Sequence, residues 1–321
     1  MTIHTALTRV FDIDHPIVLG PMGGVSGGRL AAAVSNAGGL GLVGGGYGDA
    51  EWLKRELALV KDATDKPWGA GLITWSASLD LVNLILGFKP HAFMLSFGDA
   101  GPYVDPIKRA GCKLILQIQT VEAAKTARAL GADIIVAQGA DGGGHGADRA
   151  TLPLVPAVVD VAGDIPVVAA GGIADGRGLA AALMLGAQGA LLGTRFYASP
   201  EALGDDEAKR RLATASGDDT RRTTVFDVVR GYDWPRPFTG RALNNAFMTR
   251  WHGREAALAE RVADERTAFQ RAAERADYET KMVWASEAVD LIAGVEGAAD
   301  QVQRIALEAE RLLRAAPTLI H

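Results

Sequence analysis

The chain of 321 residues has little of several things, and each shortage excludes something. One cysteine, Cys112, cannot form an internal disulfide, which excludes a secreted disulfide scaffold and points to a reducing, cytoplasmic setting. Charge of one sign is also lacking: 33 Lys and Arg against 38 Asp and Glu leave −5 at pH 7. A pI near 5.7 is not that of a general nucleic-acid binder, so no nucleic-acid partner is expected. Charges or Gly/Pro clusters interrupt every apolar run before about 18 residues, so no membrane partner is expected. Residues 1–14 hold no charged segment leading into an apolar one, so no signal peptide is read there. HxH, HExxH and CxxC spacings are missing, and no metal is expected. There is neither a GxxxxGK[ST] phosphate loop nor a GxSxG elbow.

What the chain has instead is glycine, at 39 positions. The glycines stand at the ends of short apolar runs, where they mark turns and close backbone approaches instead of flexible linker. Those runs predict strands over 17–21, 40–44, 68–73, 92–97, 113–118, 133–137, 165–170 and 190–194. Helices are expected between them, over 28–36, 50–62, 79–86, 102–110, 121–130, 153–161 and 178–185, with one more starting near Pro200. The strands are continuously apolar, as where helices cover both faces of a parallel sheet. Eight βα units in about 200 residues predict an α/β fold, the (β/α)8 TIM barrel. Beyond it, 201–222 and 250–313 are rich in Ala, Glu and Arg at helical spacing, with charge pairs such as Glu260 and Asp264 against Arg261 and Arg266. Residues 231–240, with Trp234, Pro235 and Pro237, read as a loop. The expected division is a barrel over 1–200 and a helical cap over 201–321, whose last helix can return to the barrel.

In such a barrel the chemistry sits at the C-terminal ends of the strands. The first strand exits through Gly20, Pro21, Met22, Gly23 and Gly24; the sixth through Gln138 to Gly146; the seventh through Gly171 and Gly172; the eighth through Gly193, Thr194 and Arg195. Loops after strands seven and eight form the phosphate site of many TIM barrels. Gly171, Gly172, Gly193 and Thr194 therefore predict a bound phosphoryl group, that of flavin mononucleotide. Two dinucleotide fingerprints carry less: Gly39 to Gly44 lies inside the second strand, and Gly176 to Ala181 lacks an acidic residue at the end of the next strand. Of six histidines, His4, His15, His91, His145, His252 and His321, only His145 stands in a glycine loop at a catalytic strand end. It is the candidate acid or base. Cys112 falls at the entry of strand five, the stability face.

Together, Gly20-Pro21-Met22, Ser35 to Gly41, Ala137-Gln138-Gly139 through Gly143-Gly144-His145-Gly146, Ala170 to Arg177, and Ala181 to Gly186 through Gly193-Thr194-Arg195-Phe196 resemble the nitronate monooxygenase (2-nitropropane dioxygenase) family. A weaker echo lies at Arg241 to Asn245. The resemblance implies a barrel that binds FMN noncovalently. Pro21, Met22 and Gly23 would face the flavin; Gln117, Gln138, Gly143 and Gly144 would line it; Gly171, Gly172, Gly193 and Thr194 would hold its phosphate. It implies that His145 takes the α-proton of a nitroalkane or orients an alkyl nitronate, whose oxidation by O2 gives a carbonyl compound and nitrite. Departures from the family pattern are Gly71 where Asn is frequent, Gln117 where a basic residue is frequent, and Asp141-Gly142 in place of Glu-Ala or Glu-Ser. The motifs are also similar to those of enoyl-acyl-carrier-protein reductase II and NADH:quinone reductases, implying as alternative an NAD(P)H-dependent FMN reductase acting on an enoyl thioester or quinone. A third reading is a silent flavin-binding barrel. IMP dehydrogenase shares the phosphate site but needs a cysteine after strand six, and the single cysteine lies elsewhere.

Overall fold

The computed structural model describes residues 3–319, so His321 lies outside the described residues. Its strands are β1 (Ile17–Leu19), β2 (Gly41–Gly44), β3 (Trp68–Ile73), β4 (Ala92–Ser96), β5 (Lys113–Ile118), β6 (Ile134–Gln138), β7 (Gly144–Gly146), β8 (Val167–Ala170), β9 (Ala190–Leu192), β10 (Thr220–Thr223) and β11 (Thr239–Leu243). Eight of them, β1 to β6 with β8 and β9, are parallel in the order β1-β9-β8-β6-β5-β4-β3-β2. The ring closes beside β2: Leu19 N–H donates to Leu40 O and Leu40 N–H to Ile17 O, both at 2.9 Å. This is the expected TIM barrel.

Successive strand residues face opposite sides, which splits the core in two. Val18, Leu42, Met94, Ile115, Val136, Val168 and Leu191 fill the barrel. Leu19, Val43, Phe93, Leu95, Leu116, Ile135 and Leu192 pack outward under the helices. Each large apolar side chain so buried contributes about 1.5–3 kcal/mol. Side-chain caps set where the helices begin: Asp49 accepts from Trp52 N–H, Ser78 from Leu81, Thr120 from Ala123, and Asp175 from Arg177 and Gly178. A helix not expected from the sequence, Ala6–Phe11, adds Leu7 and Phe11 to the inner cluster, and Ile13 just after it joins them. It plugs the N-terminal end, since a Cβ on Gly189, just before β9, would lie 2.5 Å from Leu7 Cδ2.

After β9 the structure corrects the expectation of continuous helix. The helix expected near Pro200 starts at Thr194 and ends at Tyr197; the next is Asp206–Thr214, and Thr220–Thr223 is the strand β10. The span 250–313 is broken as well: helices Ala246–Trp251, Glu255–Glu260 and Val262–Glu274 precede a stretch of turns, with a bridge at Trp284 and a 3-10 turn over Glu287–Leu291, before Ala298–Ala315. That stretch is held open by a sheet edge, because Leu243 N–H donates to Val283 O and Ala285 N–H to Arg241 O. Arg266, expected in a helical charge pair, donates instead to Val229 O at 3.0 Å. β10, β11 and β7 form a small antiparallel sheet in that order, in which His145 faces Gly240. A separate cluster of Phe226, Val229, Phe247, Met248, Trp251 and Phe269 holds the cap together.

The final helix returns to the barrel. It packs on the helices Gly176–Met184 and Gly28–Asn36, and Gly176 N–H donates to Glu308 Oε2 at 2.8 Å. A Cβ at Gly176 would stand 2.5 Å from Ala309 N, so this glycine serves helix contact. Among the described residues no helix is long and apolar enough to cross a membrane.

Candidate active site

At the C-terminal end of the barrel lies a cavity of about 700 Å3. The structure brings onto its wall Pro21, Met22 and Gly23 after β1, Gln117 on β5, Gln138 on β6, Gly143, Gly144 and His145 around β7, Gly171 and Gly172 after β8, and Gly193 and Thr194 after β9. Arg195, on the same exit, is turned away and bonds Gly294 O and Glu296 at 3.2 Å.

One pole of the cavity is backbone. Gly171 and Gly172 have φ of 98° and 72°, which Cβ-bearing residues rarely adopt. The N–H groups of Gly171, Gly172, Gly193 and Thr194 have no acceptor among the described residues. Thr194 Oγ1 accepts from Ser286 N–H at 3.0 Å, which leaves its own proton to donate. Buried donors without acceptors are costly in a folded protein, and four amides with a hydroxyl on one wall match a phosphoryl group in number and in chemistry. This donor set fits the phosphate end of a flavin nucleotide.

The floor carries amides instead of charge. Gln117 and Gln119 both donate to Gln138 Oε1, at 3.0 and 2.8 Å, and Gln138 Nε2 donates to His145 O at 3.0 Å. The network therefore ties β5 and β6 to the histidine loop. Gly71 has a structural reason: a Cβ there would meet the Pro21 ring at 2.5 Å. Asp141 works within its loop, accepting from Thr151 N–H at 2.8 Å while its carbonyl accepts from Ser286 Oγ at 2.7 Å. Cys112 is buried, and burial together with Asp133 pushes its thiol up to about 12, so it is no nucleophile at neutral pH.

The other pole joins the histidine loop to the cap, and sequence reasoning missed most of it. His145 Nε2 lies 2.9 and 3.0 Å from the two carboxylate oxygens of Asp227, on the helix Val225–Arg230. Both side chains are almost fully buried. The Trp234 ring stacks on the imidazole at 3.5 Å with 4° between planes. A carboxylate only accepts, so neutral His145 carries its proton on Nε2, leaving Nδ1 with a lone pair and no partner among the described residues. Burial pushes the imidazole below its usual value; Asp227 pulls it up, and Arg230 and Arg222 add to the lowering. At neutral pH the ring is a base.

Two arginines fix the loop that carries it. Arg222 Nη2 donates to Ala140 O at 2.9 Å and its Nη1 to Thr239 O at 2.7 Å and Gly146 O at 3.2 Å; Arg241 Nε donates to Ala140 O at 3.2 Å. Burial, then the neighbouring Arg241, pushes Arg222 down to about 10, so it stays charged. Tyr47 and Tyr232 stack at 3.8 Å, and Tyr47 OH accepts from Trp234 Nε1 at 2.9 Å. One sequence signal marks this pole: Asp227 is a lone carboxylate inside Val225-Phe226-Asp227-Val228-Val229, where a buried charge needs a partner.

A parallel barrel with a capped cavity over its strand exits, walled by free amides and by a histidine–carboxylate pair, is the architecture of a TIM-barrel oxidoreductase. The chain belongs to the nitronate monooxygenase family of flavin-dependent oxidoreductases, whose model matches residues 4–80 and 79–308. It is 40% identical over 230 residues to a Mycobacterium tuberculosis protein named (3aS,4S,5R,7aS)-5-hydroxy-7a-methyl-1-oxo-octahydro-1H-indene-4-carboxyl-CoA dehydrogenase, a match covering 71% of this chain and 65% of that protein, just under two thirds of its length. It is 32% identical to the nitronate monooxygenase of Neurospora crassa, over 93% of this chain and 90% of the relative. The solved structure of FabK from Thermotoga maritima superposes with a TM-score of 0.89 at 30% identity, covering 99% of this chain and 100% of FabK.

Proposed function

We propose that the protein is an FMN-dependent oxidoreductase that oxidises alkyl nitronates with O2 to a carbonyl compound and nitrite, in the cytoplasm. The observation that carries this reading is the His145–Asp227 pair on the wall of the same cavity as four free amides. Bound there, FMN supplies the two-electron acceptor and the centre that reacts with O2. The amides of Gly171, Gly172, Gly193 and Thr194 would hold its phosphate, and Pro21, Met22, Gly23, Gly143, Gly144, Gln117 and Gln138 would flank its ring. His145 Nδ1 would take the α-proton of a nitroalkane or orient the nitronate. Asp227 fixes the ring and the tautomer, as a carboxylate partner does for catalytic histidines elsewhere. Trp234 excludes water from one imidazole face. Cap residues such as Arg230, Tyr232, Trp234 and Trp284 would close the site.

A second reading has its own support. The 40% identity to a CoA-thioester dehydrogenase favours a thioester substrate, with NAD(P)H as electron donor if the reaction is a reduction. Anaerobic mixing separates the readings. Flavin absorbance bleached by a nitronate and untouched by NADH supports the first, and bleaching by NADH or by a hydroxyacyl thioester alone supports the second. No bleaching by any of them leaves the silent barrel.

A further inference from the structure

Asp49, Arg230 and Lys281 are the Asp, Glu, Lys and Arg side chains on the cavity wall, and two of them are occupied. Lys281 Nζ pairs with Asp205 at 2.8 Å, and Asp49 caps its helix through Trp52 N–H. Arg230 has neither a carboxylate partner nor a hydrogen bond among the described residues. Its guanidinium lies 4.6 Å from the Tyr232 ring centre and 5.6 Å from that of Tyr47, at the edge of the parallel tyrosine stack. The contact holds the cation beside the rings and leaves its N–H groups unspent. Tyr47 OH, which accepts from Trp234, keeps its own proton for an acceptor. Arg230 is three residues after Asp227 on the same short helix, so the helix that grips His145 also delivers the cation.

We propose that Arg230, with the Tyr47 hydroxyl, is the binding site for a planar two-oxygen anion on the substrate, and that it selects the anionic nitronate over the neutral nitroalkane. A nitronate or a carboxylate presents two coplanar oxygens, the pattern a guanidinium fork meets with two parallel N–H bonds. A neutral nitroalkane has the same shape without the net charge. This rests on the nitronate reading for its natural substrate, while the anion site itself is independent of it.

Holoenzyme kinetics with a secondary nitroalkane and with its nitronate give the first test. Arg230→Gln is expected to raise KM for the nitronate at least about tenfold, as loss of a charge-assisted pair does, with a much smaller rise for the neutral form. Arg230→Lys, which keeps charge but not the fork, falls between. Flavin content and a melting curve check each variant, and if Arg230→Gln does not fold, Arg230→Lys carries the comparison. The second test titrates benzoate, a carboxylate with no α-proton, against the holoenzyme by tryptophan fluorescence, since Trp234 and Trp284 line the cavity. Benzoate binds the wild type, more weakly to Arg230→Lys, and is lost in Arg230→Gln. Should the wild type not oxidise nitronates, the nitronate reading fails and the benzoate titration still decides the anion site. Equal nitronate KM, or equal benzoate affinity, in wild type and variants overturns the proposal.

Discussion

The two poles of the cavity are built from different materials. The barrel pole is made of backbone: the 171–172 and 193–194 turns present amides, and almost no ionic side chain. The cap pole is made of side chains, His145 with Asp227 and Trp234, and Arg230 on Tyr47 and Tyr232. Backbone donors set by strand ends suit a group that stays in place. Packed side chains suit recognition of what comes and goes. We propose that flavin lies at the first pole and substrate at the second.

Substitutions that act on one pole alone can break this division. The largest effect is expected for His145→Ala: turnover of nitroalkanes falls about 10²–10⁴-fold, the range of a positioned acid or base, while flavin content stays at the wild-type level. Steady-state rates beside flavin absorbance check it, and flavin loss would move His145 to the other pole. Asp227→Asn is expected to lower turnover about 10²-fold. It also shifts the pH profile. His145 is depressed below 6.5 in the folded protein, so the neutral ring, and the stability it confers, persist at pH 7 and are lost as pH falls through that lowered value. Asp227 is the group that raises it, so Asp227→Asn moves the acid limb of kcat/KM still lower. An unmoved limb would detach the pair from the chemistry.

Gly171→Ala probes the barrel pole. A Cβ there would lie 2.8 Å from Gly139 O at a φ of 98°, a strain of about 1–2 kcal/mol that displaces the amides. Weaker FMN binding, by about tenfold, is expected in a titration of the apoprotein, with the substrate KM of the saturated enzyme much less altered. Gly176→Ala lies outside both poles and costs stability alone, about 1–3 kcal/mol of overpacking against Ala309, read as a lower Tm with unchanged flavin affinity.

The same contrast explains what the sequence made legible. Barrel strands such as Trp68–Ile73 and Lys113–Ile118 are local apolar runs, and glycines at their exits mark the turns directly. The cap sheet could not be read this way. β7 is Gly-His-Gly, β10 is Thr-Arg-Arg-Thr, and both are strands only because β11, nearly a hundred residues after β7, pairs with each. The Ala/Glu/Arg composition of 250–313 favours helix, and pairing with the β11 edge overrides it around Trp284. Asp227 and Trp234 reach His145 only through that fold, so no spacing in the chain reveals them.

The most direct measurement is anaerobic mixing of the holoenzyme with an alkyl nitronate and, separately, with NADH, following flavin absorbance. Bleaching by the nitronate, slowed in Asp227→Asn, is expected, and none by NADH. Rapid bleaching by NADH with no response to the nitronate would contradict the nitronate reading.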